Sequence, residues 1–139
     1  MAAPTGRYAP WRPRSIAIGG LMLVATVGFA LASLVHFGVA LVLGPLTIND
    51  PFAGAAIPEA ILAVVLGIGS AGWLARWPVG RGLARATTVF ALLVTLYGLT
   101  VTAGAARTGD VTYHLSILVV LSVLAVLLFL PAAQPSRPG

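Results

Sequence analysis

Cysteine and lysine are both absent from the 139 residues of this chain, and only three residues are acidic. Without cysteine the chain has no disulfide, no thiolate nucleophile and no cysteine-based zinc or iron–sulfur site. Charged residues make up 8% of the sequence and hydrophobic residues 59%, whereas roughly a quarter of the residues in soluble domains are charged. This composition excludes an ordinary soluble domain and predicts an integral membrane protein.

The basic residues are all arginine and give a net charge of +5. Binding to nucleic acid needs a basic patch on one folded face or aromatic side chains that stack on bases. The eight arginines are instead scattered between and outside the apolar segments, so we expect no nucleic-acid partner. The use of arginine alone, in a chain rich in Ala, Gly, Val and Leu, is typical of a bacterial coding sequence of high GC content.

Four apolar segments lie between helix-breaking residues, at about 15–44, 57–75, 83–106 and 111–130. Each approaches or exceeds the ~20 residues that cross a bilayer as a helix. Barrel strands are much shorter, and open strands leave backbone groups unpaired in lipid. The sequence therefore predicts an all-α polytopic membrane protein. We expect an antiparallel up-down bundle at 15–130, between short tails at 1–14 and 131–139.

Proline and acidic residues mark the predicted helix ends. Pro45 is expected to end the first helix, which is long enough to require a tilt, a kink or a protruding end. Pro58 fits the first turn of helix 2, where Glu59 also favours the positive end of the helix dipole. A side-chain oxygen of Thr108 or Asp110 is expected to cap helix 4.

The distribution of arginine predicts the orientation in the membrane. One side carries seven arginines in the tails and around the 2–3 loop, and the other side carries only Arg107. Under the positive-inside rule both termini are cytoplasmic, in a multi-pass protein of the plasma membrane. The N-terminal segment also resembles a secretory signal with a cleavage site at Ala30-Leu31-Ala32. We favour an uncleaved segment because the apolar run continues through Leu43.

Small residues recur at the helical spacing that allows close packing between membrane helices. On helix 2 this row is Ala63, Gly67 and Ala71, with Glu59 one step further along the same face. A second row on helix 1 contains Gly28, Ala32 and Ala40 and includes His36. Helix 3 presents one row of threonines, Thr88, Thr95 and Thr102, whose hydroxyls we expect to bond carbonyls of their own helix or a neighbour.

One group of polar residues is predicted to lie toward the outer side of the membrane. It forms the candidate ligand- or proton-binding site, with His36, Glu59, Asp110, Tyr113 and His114 as its members. Imidazoles and carboxylates are the ligand types of a zinc, iron or copper site, and they can also pass protons or bind a small cationic substrate. Haem held by His36 and His114 is a third alternative. The fourth is purely structural, with helix caps, an Asp110–Arg107 pair and interfacial imidazoles. The sequence decides neither the cofactor nor the metal.

No enzyme signature is present: the sequence contains no nucleophile elbow, no P-loop and no dinucleotide-binding motif in the right context. We therefore expect a non-catalytic accessory or assembly module in the inner membrane. Its partners would be the lipid bilayer and other membrane proteins or further copies of itself. The alternative is a small transporter or a ligand- or metal-binding bundle that uses the outward-facing His/Glu cluster.

Overall fold

The computed structural model describes residues 12–105 and 108–131 of the chain. Its four helices are α1 (Pro13–His36), α2 (Ala53–Leu74), α3 (Gly80–Gly104) and α4 (Thr108–Phe129). All four are long and apolar enough to cross a membrane. The prediction of an all-helical chain with four apolar spans is confirmed. An unpredicted two-stranded hairpin, β1 (Leu41–Leu43) and β2 (Leu46–Ile48), joins α1 to α2.

The first helix ends at His36, so the prediction that it continues to Gly44 is wrong. Gly38 has a φ of +92°, a left-handed conformation that glycine adopts without steric cost. The amide of Gly38 donates to the carbonyl of Val35, and the amide of Val39 donates to the carbonyl of Leu34, each at 2.9 Å. These two bonds form a Schellman motif, which satisfies the last carbonyls and ends the helix.

The hairpin accounts for the apolar residues that follow α1. Its strands pair antiparallel, with Leu41 opposite Ile48 and Leu43 opposite Leu46. The two-residue turn is Gly44-Pro45, and Gly44 has the positive φ of +59° that such a turn takes at its first position. Pro45 therefore lies in a hairpin turn instead of ending a helix. The hairpin returns the chain to the end of α1.

Two further helix starts differ from the sequence prediction. Helix α2 begins at Ala53, so Pro58 lies inside the helix instead of in its first turn. Helix α4 begins at Thr108, which places Asp110 within its first turn. Both shifts extend the helices toward the same end of the molecule. They bring Glu59 and Asp110 into the region where α1 ends.

The helices pack in a ring, in which α1 and α3 each contact both α2 and α4. The buried core combines Phe29 and Ala25 of α1 with Leu62 and Leu66 of α2 and residues of the other two helices. Many large apolar side chains remain exposed on the outer surface. That pattern suits helices surrounded by lipid.

The close-packed face of α2 is adjacent to the one predicted from its small residues. Ala71 is exposed and Ala63 is only half-buried, whereas Leu66, Gly69 and Gly72 are buried. A Cβ on Gly67 would lie 3.7 Å from Thr26, an ordinary van der Waals contact. On α1, Ala40 lies beyond the end of the helix. The small-residue rows therefore locate the packing faces only approximately.

Arginine side chains close one end of the bundle, which we call the arginine end and define by Arg14, Arg85 and Trp73. Arg14 donates to the carbonyls of Leu127, Leu130 and Pro131 at the C-terminal end of α4. Arg85 donates to Leu128 at 3.0 and 3.1 Å, and Trp73 donates to Ser15 at 3.1 Å. These bonds place guanidinium groups at the negative end of the α4 dipole.

Candidate functional site

The opposite end of the bundle collects every acidic residue of the chain. His36 is the last residue of α1, Glu59 lies in the second turn of α2, and Asp110 lies in the first turn of α4. Asp50 follows strand β2 in the segment that leads into α2. We call this group of four residues the acidic cluster.

The hairpin is fixed against the end of α1 by the residues that follow it. The amide of Phe52 donates to the carbonyl of His36 at 2.9 Å, and the Phe52 ring meets the His36 imidazole edge-on with 5.9 Å between ring centroids. These contacts hold Phe52 beside His36. They explain why Asp50, distant from Asp110 in sequence, lies beside it in space.

His36 is the centre of the cluster. Its Nδ1 lies 2.6 Å from Oε2 of Glu59, and its Nε2 lies 3.4 Å from Oδ1 of Asp110. His36, Glu59 and Asp110 are only 5%, 3% and 5% exposed. One imidazole thus bridges two buried carboxyl groups from two other helices.

Asp50 completes a set of groups that can bind a metal ion. One ligand atom from each of His36, Asp50 and Asp110 lies within 4.8 Å of the others. Asp50 is half-buried, whereas the other two side chains are buried. Sequence analysis treated Asp50 only as part of a turn. The missed signal was that all three acidic residues fall at the same predicted end of the bundle.

The protons on His36 decide whether each ring nitrogen donates to its neighbouring carboxyl group or accepts from it. When Glu59 is ionised it only accepts hydrogen bonds, so Nδ1 of a neutral His36 carries the proton and donates to it. Nε2 then presents a lone pair to the carboxyl oxygen of Asp110. Two acceptors in contact repel each other unless a cation or a proton lies between them.

The second histidine, His114, occupies a different position from the one that joint binding with His36 requires. Its Nδ1 lies 2.7 Å from the backbone carbonyl of Asp110, and its Nε2 faces α3, 2.7 Å from where a Cβ on Gly98 would lie. Both imidazoles therefore contact Asp110, through its side chain and its backbone respectively. The cavity between α2 and α3 has His114 but not His36 in its wall.

Tyr113 packs beside the cluster without bonding to it. Its ring makes edge-on contacts with Phe29, at 6.3 Å between centroids, and with His114, at 5.2 Å. The hydroxyl is buried and has no hydrogen-bond partner among the described residues. Of the five residues predicted from sequence, the structure joins His36, Glu59 and Asp110 directly and places His114 and Tyr113 at their flank.

The inward row of threonines on α3 matches the sequence prediction. Thr88, Thr95 and Thr102 are all buried. Thr95 donates to Ala91 at 2.7 Å and Thr102 donates to Gly98 at 3.1 Å. The hydroxyl of Thr88 is buried without a partner in the described part of the chain. Two of the three hydroxyls are therefore satisfied within their own helix, which indicates a structural role.

Positive charge lies away from the acidic cluster in the described residues. Four arginines lie at the arginine end of the bundle, namely Arg12, Arg14, Arg81 and Arg85. Arg76 follows the C-terminal end of α2, which lies at the same end. Arg107, the expected partner of Asp110, lies outside the described residues. The three carboxyl groups lie around one described imidazole, that of His36.

Comparison with protein-family models, with curated sequences and with solved structures finds no match for this chain. The function is therefore argued from the acidic cluster and its surroundings.

Proposed function

We propose that this protein is a plasma-membrane protein whose acidic cluster binds a divalent metal ion of the zinc class. The observation that supports this most strongly is the convergence of all three acidic side chains of the chain on one imidazole. The proposed ligands are Nε2 of His36 and one carboxylate oxygen each from Asp50 and Asp110. Nitrogen and oxygen ligands of this kind suit zinc and its neighbours among the transition metals.

The distances within the cluster fit such an ion. Two ligands at ~2.0 Å from a tetrahedral metal are about 3.3 Å apart, and His36 Nε2 lies 3.4 Å from Asp110 Oδ1. Asp50 lies on an irregular segment between β2 and α2, so its carboxylate is less constrained than a helical side chain. Three protein ligands leave a fourth position for water or a bound molecule.

Glu59 supports the proposal from the opposite side of the imidazole. Metal-binding histidines commonly donate their other ring N–H to a carboxylate, which orients the ring and increases its basicity. Glu59 Oε2 is 2.6 Å from His36 Nδ1 and so occupies that supporting position. We therefore assign Glu59 as the positioning residue of the site and not as a ligand.

Charge also favours a bound cation. Two buried carboxyl groups and one half-buried carboxyl group face a single imidazole. Buried carboxylates are stable when they are paired or coordinate a metal, and otherwise they take up protons. Coordination of a divalent ion beside His36 Nε2 would give both aspartates such an environment.

The orientation follows from the arginine count and is part of the same proposal. With both termini in the cytoplasm, the acidic cluster faces the outside of the cell and the arginine end faces the cytoplasm. The helices then alternate in direction as an up-down bundle. The metal would enter from the extracytoplasmic space, where the hairpin and the start of α4 lie.

Zinc-dependent stability tests the proposal. We expect zinc to raise the unfolding temperature of the detergent-solubilised, chelator-treated protein, because a ligand present at 100 times its Kd stabilises by about 2.7 kcal/mol. His36→Ala, Asp50→Asn and Asp110→Asn should each lose this shift, and magnesium should not produce it. Acidification to mildly acidic pH should weaken zinc binding, since protons compete for the ligands.

His114→Ala is the matched control, because it removes an imidazole whose Nε2 faces Gly98 instead of the cluster. It should keep the zinc-dependent shift. An equal zinc shift in all four variants, or none in the wild type, would refute the site. A partner that copurifies without any dependence on zinc would then support the accessory or assembly role. Proton-driven flux in liposomes lost in Glu59→Gln would support a transporter.

A further inference from the structure

A second site adjoins the acidic cluster on its α2–α3 side. A cavity of about 120 Å³ lies between these helices, and Glu59 and His114 contribute to its wall. The rest of its lining is mainly apolar. Its principal apolar members are Phe29, Phe52, Leu62, Val94 and Val101.

The polar part of this cavity offers two hydrogen-bond acceptors. Oε1 of Glu59 is buried and has no hydrogen-bond partner among the described residues, while Oε2 is bonded to His36. Nδ1 of His114 bonds a backbone carbonyl at 2.7 Å. Because a carbonyl only accepts, Nδ1 carries the proton, and Nε2 of the neutral ring presents a lone pair. Thr95 and Thr102, also in the lining, donate to their own helix.

The mouth of the cavity opens on the lipid-facing surface of the bundle. Its outer lining includes Tyr97, which is 71% exposed, and Val101, which is 43% exposed. Gly54 and Pro58 line the α2 side and are also exposed. A molecule therefore reaches the buried acceptors from the membrane, between α2 and α3.

Size and chemistry together define the occupant. An apolar cavity of about 150 Å³ holds one benzene ring, and this cavity of about 120 Å³ is similar in size and extends outward through its open mouth. A buried acceptor without a partner is costly, and a donor from a ligand removes that cost. We propose that this cavity binds the hydroxyl-bearing ring of a lipophilic phenol, with the hydroxyl donating to Glu59 or His114 and the alkyl tail in the lipid.

This site does not depend on the proposed metal. Glu59 contacts the two sites through different oxygens, Oε2 on the His36 side and Oε1 without a protein partner. Phenol binding is therefore measured on full-length protein in the presence of a chelator. Failure of the zinc proposal leaves that result unchanged, and failure of phenol binding leaves the zinc result unchanged.

The probe is 4-octylphenol, and 4-octylanisole is the matched probe that lacks the hydroxyl hydrogen. Calorimetric titration of the protein in detergent should show the phenol binding about tenfold more tightly than the methyl ether, the effect of one hydrogen bond to a buried acceptor. Glu59→Gln and His114→Phe should each reduce that preference. Equal affinity for the two probes would overturn the proposal, as would a stronger preference for octylammonium.

A variant that fills the cavity tests the location without touching either acceptor. Ala55 lines the cavity and is half-buried, so Ala55→Phe should abolish phenol binding. Ala71 lies near the other end of α2 and is exposed, so Ala71→Phe is the matched control and should bind as the wild type does. Equal binding by the two variants would place the phenol elsewhere, in the detergent or on another surface, and would refute the proposal.

Discussion

The two ends of this bundle treat charge in opposite ways. At the arginine end, Arg14 and Arg85 direct their donors to the backbone carbonyls that end α4. At the acidic end, Glu59, Asp110 and Asp50 direct carboxyl groups toward one another and toward a single imidazole. At the arginine end two guanidinium groups bond the backbone of the fold, and at the acidic end three carboxyl groups lie together.

The charges at the arginine end stabilise the fold, whereas the charges at the acidic end are proposed to bind a ligand. A guanidinium at a helix C-terminus satisfies orphan carbonyls and interacts favourably with the dipole, so its charge is compensated within the protein. At the acidic end, Glu59 Oε1 is buried and has no hydrogen-bond partner among the described residues. An uncompensated buried group of this kind is a reason to look for a ligand.

The largest expected effect is an all-or-none difference in labelling between the two ends. The natural chain has no cysteine, so single cysteines can be introduced without background. Thr47 and Gly109 are exposed at the acidic end and Gly82 is exposed at the arginine end. In sealed cells an impermeant thiol reagent should label Thr47→Cys and Gly109→Cys but not Gly82→Cys. The reverse pattern would invert the proposed orientation.

A large effect on stability is expected from Gly80→Ala near the arginine end. A Cβ on Gly80 would collide with the backbone carbonyl of Gly72, whereas one on Gly82 would meet nothing within 4 Å. Backbone atoms cannot move aside as a side chain does, so Gly80→Ala should lower the free energy of unfolding by about 3 kcal/mol.

Gly82→Ala is the control for this change and should alter stability by less than about 0.5 kcal/mol. Denaturant unfolding in detergent measures both variants. Similar stability for the two would mean that the α2–α3 turn is looser than its contacts imply.

The smallest effect is a difference in magnitude between the two ends. Arg14→Gln should lower the free energy of unfolding by about 2 kcal/mol, since it removes charged hydrogen bonds to carbonyls. Asp110→Asn, measured without metal, should change it by less than about 1 kcal/mol, because the amide keeps an oxygen beside His36 Nε2 and the His36–Glu59 pair remains. Denaturant unfolding in detergent measures both variants, and a loss in Asp110→Asn as large as that in Arg14→Gln would give Asp110 the same structural role as Arg14.

The helices were predictable because composition and run length are strong signals in lipid. The residues at which the helices begin and end were less predictable. The sequence places Gly38 and Gly44 inside one apolar run, and only the positive φ angles of these two glycines show a helix end followed by a hairpin turn. The predicted start of α2 was also wrong, because Pro58 was expected in the first turn and lies inside the helix.

The candidate site was predictable in part. Shared depth along the helices grouped His36, Glu59 and Asp110, whose side chains are in contact in the structure, because depth follows from the number of residues along each span. It also grouped His114 and Tyr113, which share that depth but point toward other neighbours. Depth along a helix and direction around it are independent, and without knowledge of the packed neighbours only the first is well determined by sequence.

By itself, the sequence determined the four apolar helices, the polar residues within them and the segregation of arginines from acids, because these depend on hydrophobicity and position along the chain. The tertiary structure alone decided that Asp50 meets His36 and that His114 turns toward Gly98. It also decided that Glu59 keeps one oxygen for a neighbouring cavity. These contacts depend on the path of the hairpin and the rotation of each helix, and irregular backbone and interhelical packing carry no periodic signal in the sequence.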